Sequence, residues 1–154
     1  MNRKCLQEIY APENACFGCG PANKQGLQLR SFEDGDMFVA KWQPQTHHEA
    51  YPDVLAGGII GTLLDCHSTW SAAIHMMRIR QQPFPPCTVT SSYAVKLLWP
   101  VPTSIPVHIF ARVIESSIDR CTVEATLTSD TRVCASCRGL FIAVKPGHPA
   151  YHRW

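Results

Sequence analysis

The stretch VLAGGIIGTLLDCHSTWSAAIHMM, residues 54–77, decides the fold because it is the one long segment with helical periodicity. Its apolar side chains recur at three- and four-residue intervals, which places them along a helix surface. These side chains are Ile59, Ile60, Leu63, Leu64, Trp70, Ala73, Ile74 and Met77. Proline cannot continue a helix, and Pro83, Pro85 and Pro86 follow closely. We therefore predict one long helix over residues 54–77.

The sequence on both sides of this helix has the two-residue period of β-strands. The predicted strands span residues 27–32, 37–42, 88–98, 107–114, 122–128 and 131–144. The turn at 33–36 predicts that the first two strands form a hairpin. A single apolar helix and one antiparallel sheet bury each other only if the sheet curves round the helix. The fold class is thus α+β, one long central helix wrapped by a curved antiparallel sheet of about six strands, whose exposed edges invite a second subunit.

Composition limits the classes of protein that fit this chain. Its 154 residues suit a single domain over 1–154, with a Cys-rich N-terminal segment at 1–24 and an irregular tail at 146–154. A net charge of +2 without a basic cluster argues against a nucleic-acid partner. No apolar run reaches the ~20 residues of a membrane span, and the first eight residues contain no apolar core of a signal peptide. We therefore expect a cytoplasmic protein without membrane association.

Eight cysteines are many for a chain expected to keep its thiols reduced. Cys16 with Cys19, and Cys134 with Cys137, have the spacing of zinc-ligand pairs. However, Cys134 and Cys137 fall in a predicted strand, where their side chains would point to opposite faces. This argues against a four-thiolate zinc site, so we expect no metal and interpret most of the thiols as small buried side chains.

The start of the predicted helix has the features of an anion-binding site. Gly57 and Gly58 let a ligand approach the backbone, and the first amides of a helix have no internal partner. Asp65 lies seven residues after Gly58, on the same helix face and about 10 Å further along the axis. Such amides can stabilise an oxyanion, and a carboxylate in an apolar segment is a candidate general base. Alternatively, the glycines only permit close packing and Asp65 makes a structural hydrogen bond.

Three segments resemble the hotdog-fold acyl-CoA thioesterases, in the branch that includes the phenylacetate-degradation thioesterases. They are CFGCGPAN at 16–23 followed by Gly26-Leu27, HEAYP at 48–52 followed by AGGIIGTLLD at 56–65, and Thr90 followed by Pro100. The resemblance covers nearly the whole chain and implies the hotdog fold. It also implies hydrolysis of an acyl-CoA thioester to free acid and CoA, at a site shared between the subunits of a homodimer or homotetramer, without metal or organic cofactor.

The resemblance also assigns roles to individual residues. Asp65 would activate water or attack the thioester, the Gly58 amide would hold the oxyanion, and Thr90 of the partner subunit would support the geometry. The expected substrate-binding residues are Gly57, His48, Tyr51, Leu64, Ser91 and Tyr93.

Three positions depart from the family pattern, and the mildest departure is Ala50, where glycine is usual. Ala56 replaces the usual His before the glycines, and His48 is the nearest candidate to substitute for it. Trp99 stands where relatives often have Arg, so a contact to the CoA phosphates would have to come from one of the basic residues Arg78, Arg80 and Lys96. Because of Ala56, a non-catalytic hotdog protein that binds acyl-CoA or a related ligand remains an alternative. A dehydratase is less favoured, because the helix has no Asp-x-x-x-x-His pattern.

Overall fold

The computed structural model describes residues 3–152, which form two α-helices, eight strands and a short 3₁₀ turn. Helix α1 spans Leu6–Tyr10, helix α2 spans Gly57–Ile79, and the 3₁₀ turn spans Thr46–His48. The strands are β1 (Ser31–Asp34), β2 (Met37–Trp42), β3 (Glu49–Tyr51), β4 (Val54–Leu55), β5 (Thr88–Leu97), β6 (Val107–Ser116), β7 (Arg120–Ser129) and β8 (Arg132–Ala143). No helix within residues 3–152 is long and apolar enough to cross a membrane.

Six of the strands form one antiparallel sheet in the order β1-β2-β6-β7-β8-β5. The two short strands β3 and β4 pair separately, just before α2. Hairpin β1–β2 closes with the two-residue turn Gly35-Asp36, in which Gly35 has a φ of 61°. Glycine adopts this conformation without the steric cost that a side chain would add. The predicted α+β architecture, one long helix against a six-stranded antiparallel sheet, is confirmed.

Helix α2 packs across the concave side of this sheet and forms the centre of the core. Leu63, Leu64 and Ile74 on the helix are fully buried, and Trp70 is only 2% exposed. The opposing strand residues Ile109, Val123, Leu127 and Phe141 are likewise fully buried. Burial of each large apolar side chain contributes roughly 1.5–3 kcal/mol, so this contact supplies the main stabilisation of the fold.

Two predicted element boundaries differ from the structure. The first strand begins at Ser31 instead of residue 27, because the amides of Leu27 and Leu29 donate to carbonyls of the Cys-rich loop instead of to the sheet. Helix α2 begins at Gly57 instead of residue 54, because Val54 and Leu55 pair with β3. Helix α1 and the β3–β4 pair have no counterpart in the prediction, and each is too short to show a period. Residues 146–152 contain turns, while 153–154 of the predicted tail and 1–2 of the N-terminal segment lie outside the described residues.

A buried polar network attaches α1 to the sheet and to α2. Gln7, 1% exposed, accepts a hydrogen bond from the Ser31 amide (2.9 Å) and donates to the Ser31 hydroxyl (3.0 Å). The same hydroxyl lies 2.8 Å from Nδ1 of His67, a fully buried residue of α2. Each of these contacts satisfies a group that burial would otherwise leave unpaired, so the network fixes the N-terminal segment against the core.

Replacing Gln7 by Ala should lower the free energy of unfolding by about 1–3 kcal/mol, because the buried Ser31 amide loses its acceptor. Urea denaturation of the variant and the wild type measures this difference. Gln25→Ala is the matched control, since Gln25 is exposed and its side chain makes no hydrogen bond in the described structure. An equal effect of both substitutions would show that the network contributes nothing specific.

Candidate active site

One face of α2 carries small and polar residues in place of large apolar ones. These are Gly57, Gly61, Asp65 and Thr69, spaced four residues apart and therefore aligned along the helix. Strand β5 lies along this face. A Cβ added to Gly57 would lie 3.0 Å from Cδ1 of Leu97, and one added to Gly61 would lie 3.9 Å from the hydroxyl of Tyr93. The small residues thus allow the edge strand to pack closely over the helix.

Asp65 and Thr90 meet where β5 crosses the middle of α2. The Thr90 hydroxyl donates to Oδ1 of Asp65 at 2.6 Å and lies 3.3 Å from the Thr69 hydroxyl, which donates to the Asp65 carbonyl at 2.9 Å. Burial raises the pKa of Asp65, and the hydrogen bond from Thr90 opposes this effect. The carboxylate therefore has one oxygen held by a hydroxyl and the other available to a ligand.

These residues line a cavity of about 240 Å³. Asp65, Thr69 and Thr90 form one wall, and three thiols, Cys16, Cys19 and Cys66, form another. The expectation that Thr90 reaches Asp65 from a partner subunit is wrong for this contact, because the hydrogen bond forms within one chain. The error arose because the sequence does not show that β5 lies on the helix of its own chain.

The first turn of α2 lines a second cavity, of about 270 Å³. The amides of Ile59 and Ile60 donate to the Ala56 carbonyl, whereas those of Gly57 and Gly58 have no acceptor within residues 3–152. Apart from its chain neighbours and the helix backbone, no atom of residues 3–152 lies within 4 Å of where a Cβ of Gly58 would be. The helix start is therefore open, as an anion-binding end requires.

The second cavity is mainly apolar and carries one cation at its edge. Tyr51, Gly57, Leu97 and Trp99 are among the residues that line it. The guanidinium of Arg132 stacks on the ring of Trp99, 4.4 Å from the ring centroid. The structure thus places Asp65 and the helix start at two separate cavities beside β5, with Tyr93 contacting the helix between them.

Several predicted site residues lie elsewhere. Leu64 is fully buried in the core, because one residue of helix turns it about 100° away from Asp65. His48 lines neither cavity: its Nδ1 accepts the Gln45 amide, and its ring packs on Trp42. Ser91 is exposed and contacts neither Asp65 nor α2 through a hydrogen bond among the described residues.

None of the basic residues expected to contact the CoA phosphates lines either of the two cavities. Arg78 forms an ion pair with Glu33, and Arg80 donates to the Ile118 carbonyl, both near the C-terminal end of α2. Lys96 is exposed on β5. Arg132, which the sequence analysis did not consider, stacks on Trp99 and so lies close to the second cavity.

A β-bulge at Ser91 determines which β5 side chains face the helix. Thr90 pairs with Phe141 and Ser92 pairs with Leu140, so Ser91 is an extra residue in the ladder. Even-numbered Thr90 faces α2 before the bulge, and odd-numbered Tyr93 and Leu97 face it afterwards. The bulge therefore brings both Thr90 and Tyr93 to the candidate site, which strict alternation would not allow.

Deleting Ser91 should restore strict alternation and turn the side chains on one side of the bulge away from α2. We expect the free energy of unfolding to fall by at least about 2 kcal/mol, since buried and half-buried side chains leave the core. Ser91→Ala keeps the extra residue and should stay within about 0.5 kcal/mol of wild type. Guanidinium denaturation of both variants tests this, and a deletion variant as stable as Ser91→Ala would contradict the role given to the bulge.

Comparison with known proteins agrees with this architecture. A thioesterase superfamily protein from Shewanella loihica PV-4 superposes with a TM-score of 0.66 and 26% identity, over 81% of this chain and 98% of that chain. A phenylacetic acid degradation-related protein from Ralstonia eutropha JMP134 superposes with a TM-score of 0.65 and 14% identity, over 81% of this chain and 92% of that chain. A Streptococcus mutans UA159 protein, bound to acetyl CoA in its structure, superposes with a TM-score of 0.62 and 16% identity, over 75% of this chain and 88% of that chain.

No protein-family model and no curated protein matches the sequence. The assignment therefore depends on the solved structures, and the similarity to those below 25% identity concerns the fold alone. The helix, the sheet and the likeness to the Shewanella protein all agree with the resemblance found in the sequence. The chain therefore has the hotdog fold and resembles the thioesterase superfamily.

Proposed function

We propose that this protein hydrolyses an acyl-CoA thioester to a free acid and CoA, with Asp65 as the general base. The observation that carries the proposal is the 2.6 Å hydrogen bond from Thr90 to Asp65 inside a cavity. This contact leaves Oδ2 of Asp65 available to a water molecule. Asp65 accepts a proton from that water as its oxygen attacks the thioester carbon, and the proton then passes to the departing CoA sulfur.

The negative charge that develops on the carbonyl oxygen needs hydrogen-bond donors close to the reacting carbon. Among residues 3–152 the Gly58 amide is an unpaired donor at the helix start, but it lies about 10 Å from Asp65 along the same helix. A reacting atom must lie within about 3 Å of both the base and the oxyanion donors. We therefore infer that the amide serving one Asp65 belongs to α2 of a second copy, so that the site is shared between subunits.

Binding of the CoA moiety would use the second cavity. Its apolar lining includes Tyr51 and Trp99, and Arg132 supplies a positive charge beside it for a phosphate group. The acetyl CoA bound to the Streptococcus mutans protein supports a ligand of this class. The acyl group would then extend from the second cavity of one copy towards Asp65 of the other.

The alternative is a binding protein without hydrolase activity. Ala56 favours it, because this position immediately precedes the paired glycines and offers no polar side chain to position a thioester. Under this alternative the same cavities hold an acyl-CoA or related ligand that stays intact.

Asp65→Asn should reduce the rate of CoA release by about 10²–10⁴-fold, because the amide cannot accept the proton from water. The rate is measured chromatographically as free CoA, over a panel of short, medium, long and aromatic acyl-CoAs. Asp53→Asn is the matched control, since Asp53 is exposed and its φ of 66° is tolerated by Asn. We expect the control to keep the wild-type rate.

Three results of this assay would count against the proposal. Equal rates in Asp65→Asn and Asp53→Asn would remove Asp65 from the mechanism. No release by wild type, together with calorimetric binding of the same acyl-CoA, would identify the binding protein. Neither release nor binding of any member of the panel would exclude both functions for these ligands.

We propose further that two copies associate through β5, which is the ten-residue edge strand of the sheet. Its outer edge has no partner strand among the described residues, and Tyr93 and Leu97, whose side chains face α2, stay largely exposed. A second copy would satisfy the edge and cover these side chains.

Sedimentation analysis should therefore give twice the chain mass of 17.2 kDa. Hydrogen exchange should show protection along β5 that disappears on dilution to the monomer, while β1, the opposite edge strand, exchanges equally at all concentrations. A monomer at every concentration would contradict both the dimer and the shared site.

A further inference from the structure

Three cysteine thiols converge at the wall of the cavity that contains Asp65. Cys16 and Cys19 come from the N-terminal loop, and Cys66 comes from the middle of α2. Their sulfur atoms all lie within 4.8 Å of one another, and those of Cys16 and Cys66 are 3.8 Å apart. Side chains about fifty positions apart in the sequence are thus brought into one compact group.

The 3.8 Å between the sulfurs of Cys16 and Cys66 matches the separation of two sulfur ligands on one metal ion, and Cys19 lies close to both. Zn–S bonds of about 2.3 Å in tetrahedral geometry place two sulfur atoms about 3.8 Å apart. A disulfide, in contrast, requires a distance of about 2.05 Å between two sulfur atoms, and it would join only two of the three sulfurs. A shared ion is the arrangement that uses all three thiols at once.

The loop is shaped to direct its two sulfurs to the same point. The Gly20 amide donates to the Cys16 carbonyl at 2.9 Å, which closes a tight turn through the Cys16-Phe17-Gly18-Cys19 segment. A Cβ on Gly20 would lie 2.4 Å from the Cys16 nitrogen, so this turn requires glycine. This turn, residues 16–20, is called the knuckle, and it presents the sulfurs of Cys16 and Cys19 on one side.

The knuckle also packs directly on the helix that carries the third sulfur. A Cβ on Gly18 would lie 2.4 Å from the sulfur of Cys66 and 2.8 Å from Cγ2 of Thr62. Only glycine allows this approach. On the other side, the indole N–H of Trp70 donates to the sulfur of Cys19 at 3.4 Å, which is the kind of outer hydrogen bond that orients a metal ligand.

We propose that Cys16, Cys19 and Cys66 bind one Zn²⁺ ion as thiolates. The fourth coordination position faces the cavity and is occupied by water. Cys16 is exposed, which gives the ion a path from solvent, whereas Cys19 and Cys66 are buried. Bound in this way, the ion fixes the N-terminal loop to α2 and so holds the wall of the cavity opposite β5. The site is independent of the thioesterase proposal, because it needs none of the residues assigned to hydrolysis.

Elemental analysis of the reduced full-length protein, reconstituted with Zn²⁺ and freed of excess metal, tests the site. We expect one zinc per chain in wild type and at least a tenfold weaker zinc affinity, by competition with a chromogenic chelator, in Cys16→Ser and in Cys66→Ser. Cys87→Ser is the matched control and should retain wild-type binding, since Cys87 is a partly exposed thiol outside the group. Asp65→Asn should also retain zinc, which separates this test from that of hydrolysis.

Reconstitution with Co²⁺ gives a second readout. A sulfur-to-cobalt charge-transfer band in the near ultraviolet should appear in wild type and in Cys87→Ser, and it should weaken in Cys16→Ser. Because Cys16 is exposed, this variant remains informative even if Cys66→Ser does not fold. The proposal is overturned by the absence of zinc and of the cobalt band in reconstituted wild type, or by equal zinc affinity in Cys16→Ser. A disulfide between two of the three cysteines in the protein as purified would overturn it as well.

Discussion

The whole structure depends on the need to cover α2 on every side. Residues 70 to 74 of the helix are all buried, and five consecutive residues span more than a full turn. A helix buried round its entire circumference cannot lie on a sheet alone. The sheet covers one side, where His67 meets Ser31 of β1, and the N-terminal segment covers another, where Trp70 meets Cys19. The Cys-rich loop is therefore part of the core, not a surface appendage.

The candidate site lies along one line of small and polar residues on this helix. The row from Gly57 to Thr69 has no large apolar side chain, so β5 approaches closely and still leaves cavities at two points. A carboxylate in such a place must be hydrogen-bonded to be tolerated, and Thr90 and the adjacent cavity meet this requirement. The same row thus provides access to the backbone at one end and a buried acid in the middle.

The sequence predicted the features that depend on periodicity. The long helix and the strands after it follow from the 3.6- and two-residue repeats. The same spacing could also have predicted Thr69 as a site residue, since it lies four residues after Asp65 on the same helix face.

Features that depend on tertiary contacts were not accessible in this way. The bulge at Ser91 shifts the inward-facing residues of β5 from even to odd numbers. No residue type in this strand predicts a bulge. The knuckle cysteines were compared with Cys134 and Cys137 because both pairs share a spacing. Their actual neighbour, Cys66, has no such signal, because its contact arises from the way the loop folds back on α2.

Strand β5 takes part both in the candidate site and in the proposed association of two chains. Its inner side positions Thr90 on Asp65, and its outer edge is free. Since the amides at the start of α2 are about 10 Å from Asp65, one chain cannot present both groups to the same carbonyl. Two copies paired along β5 would bring the helix start of one towards the carboxylate of the other, without movement inside either chain. In this proposal, the edge that makes the isolated sheet prone to association is also the element that completes the site.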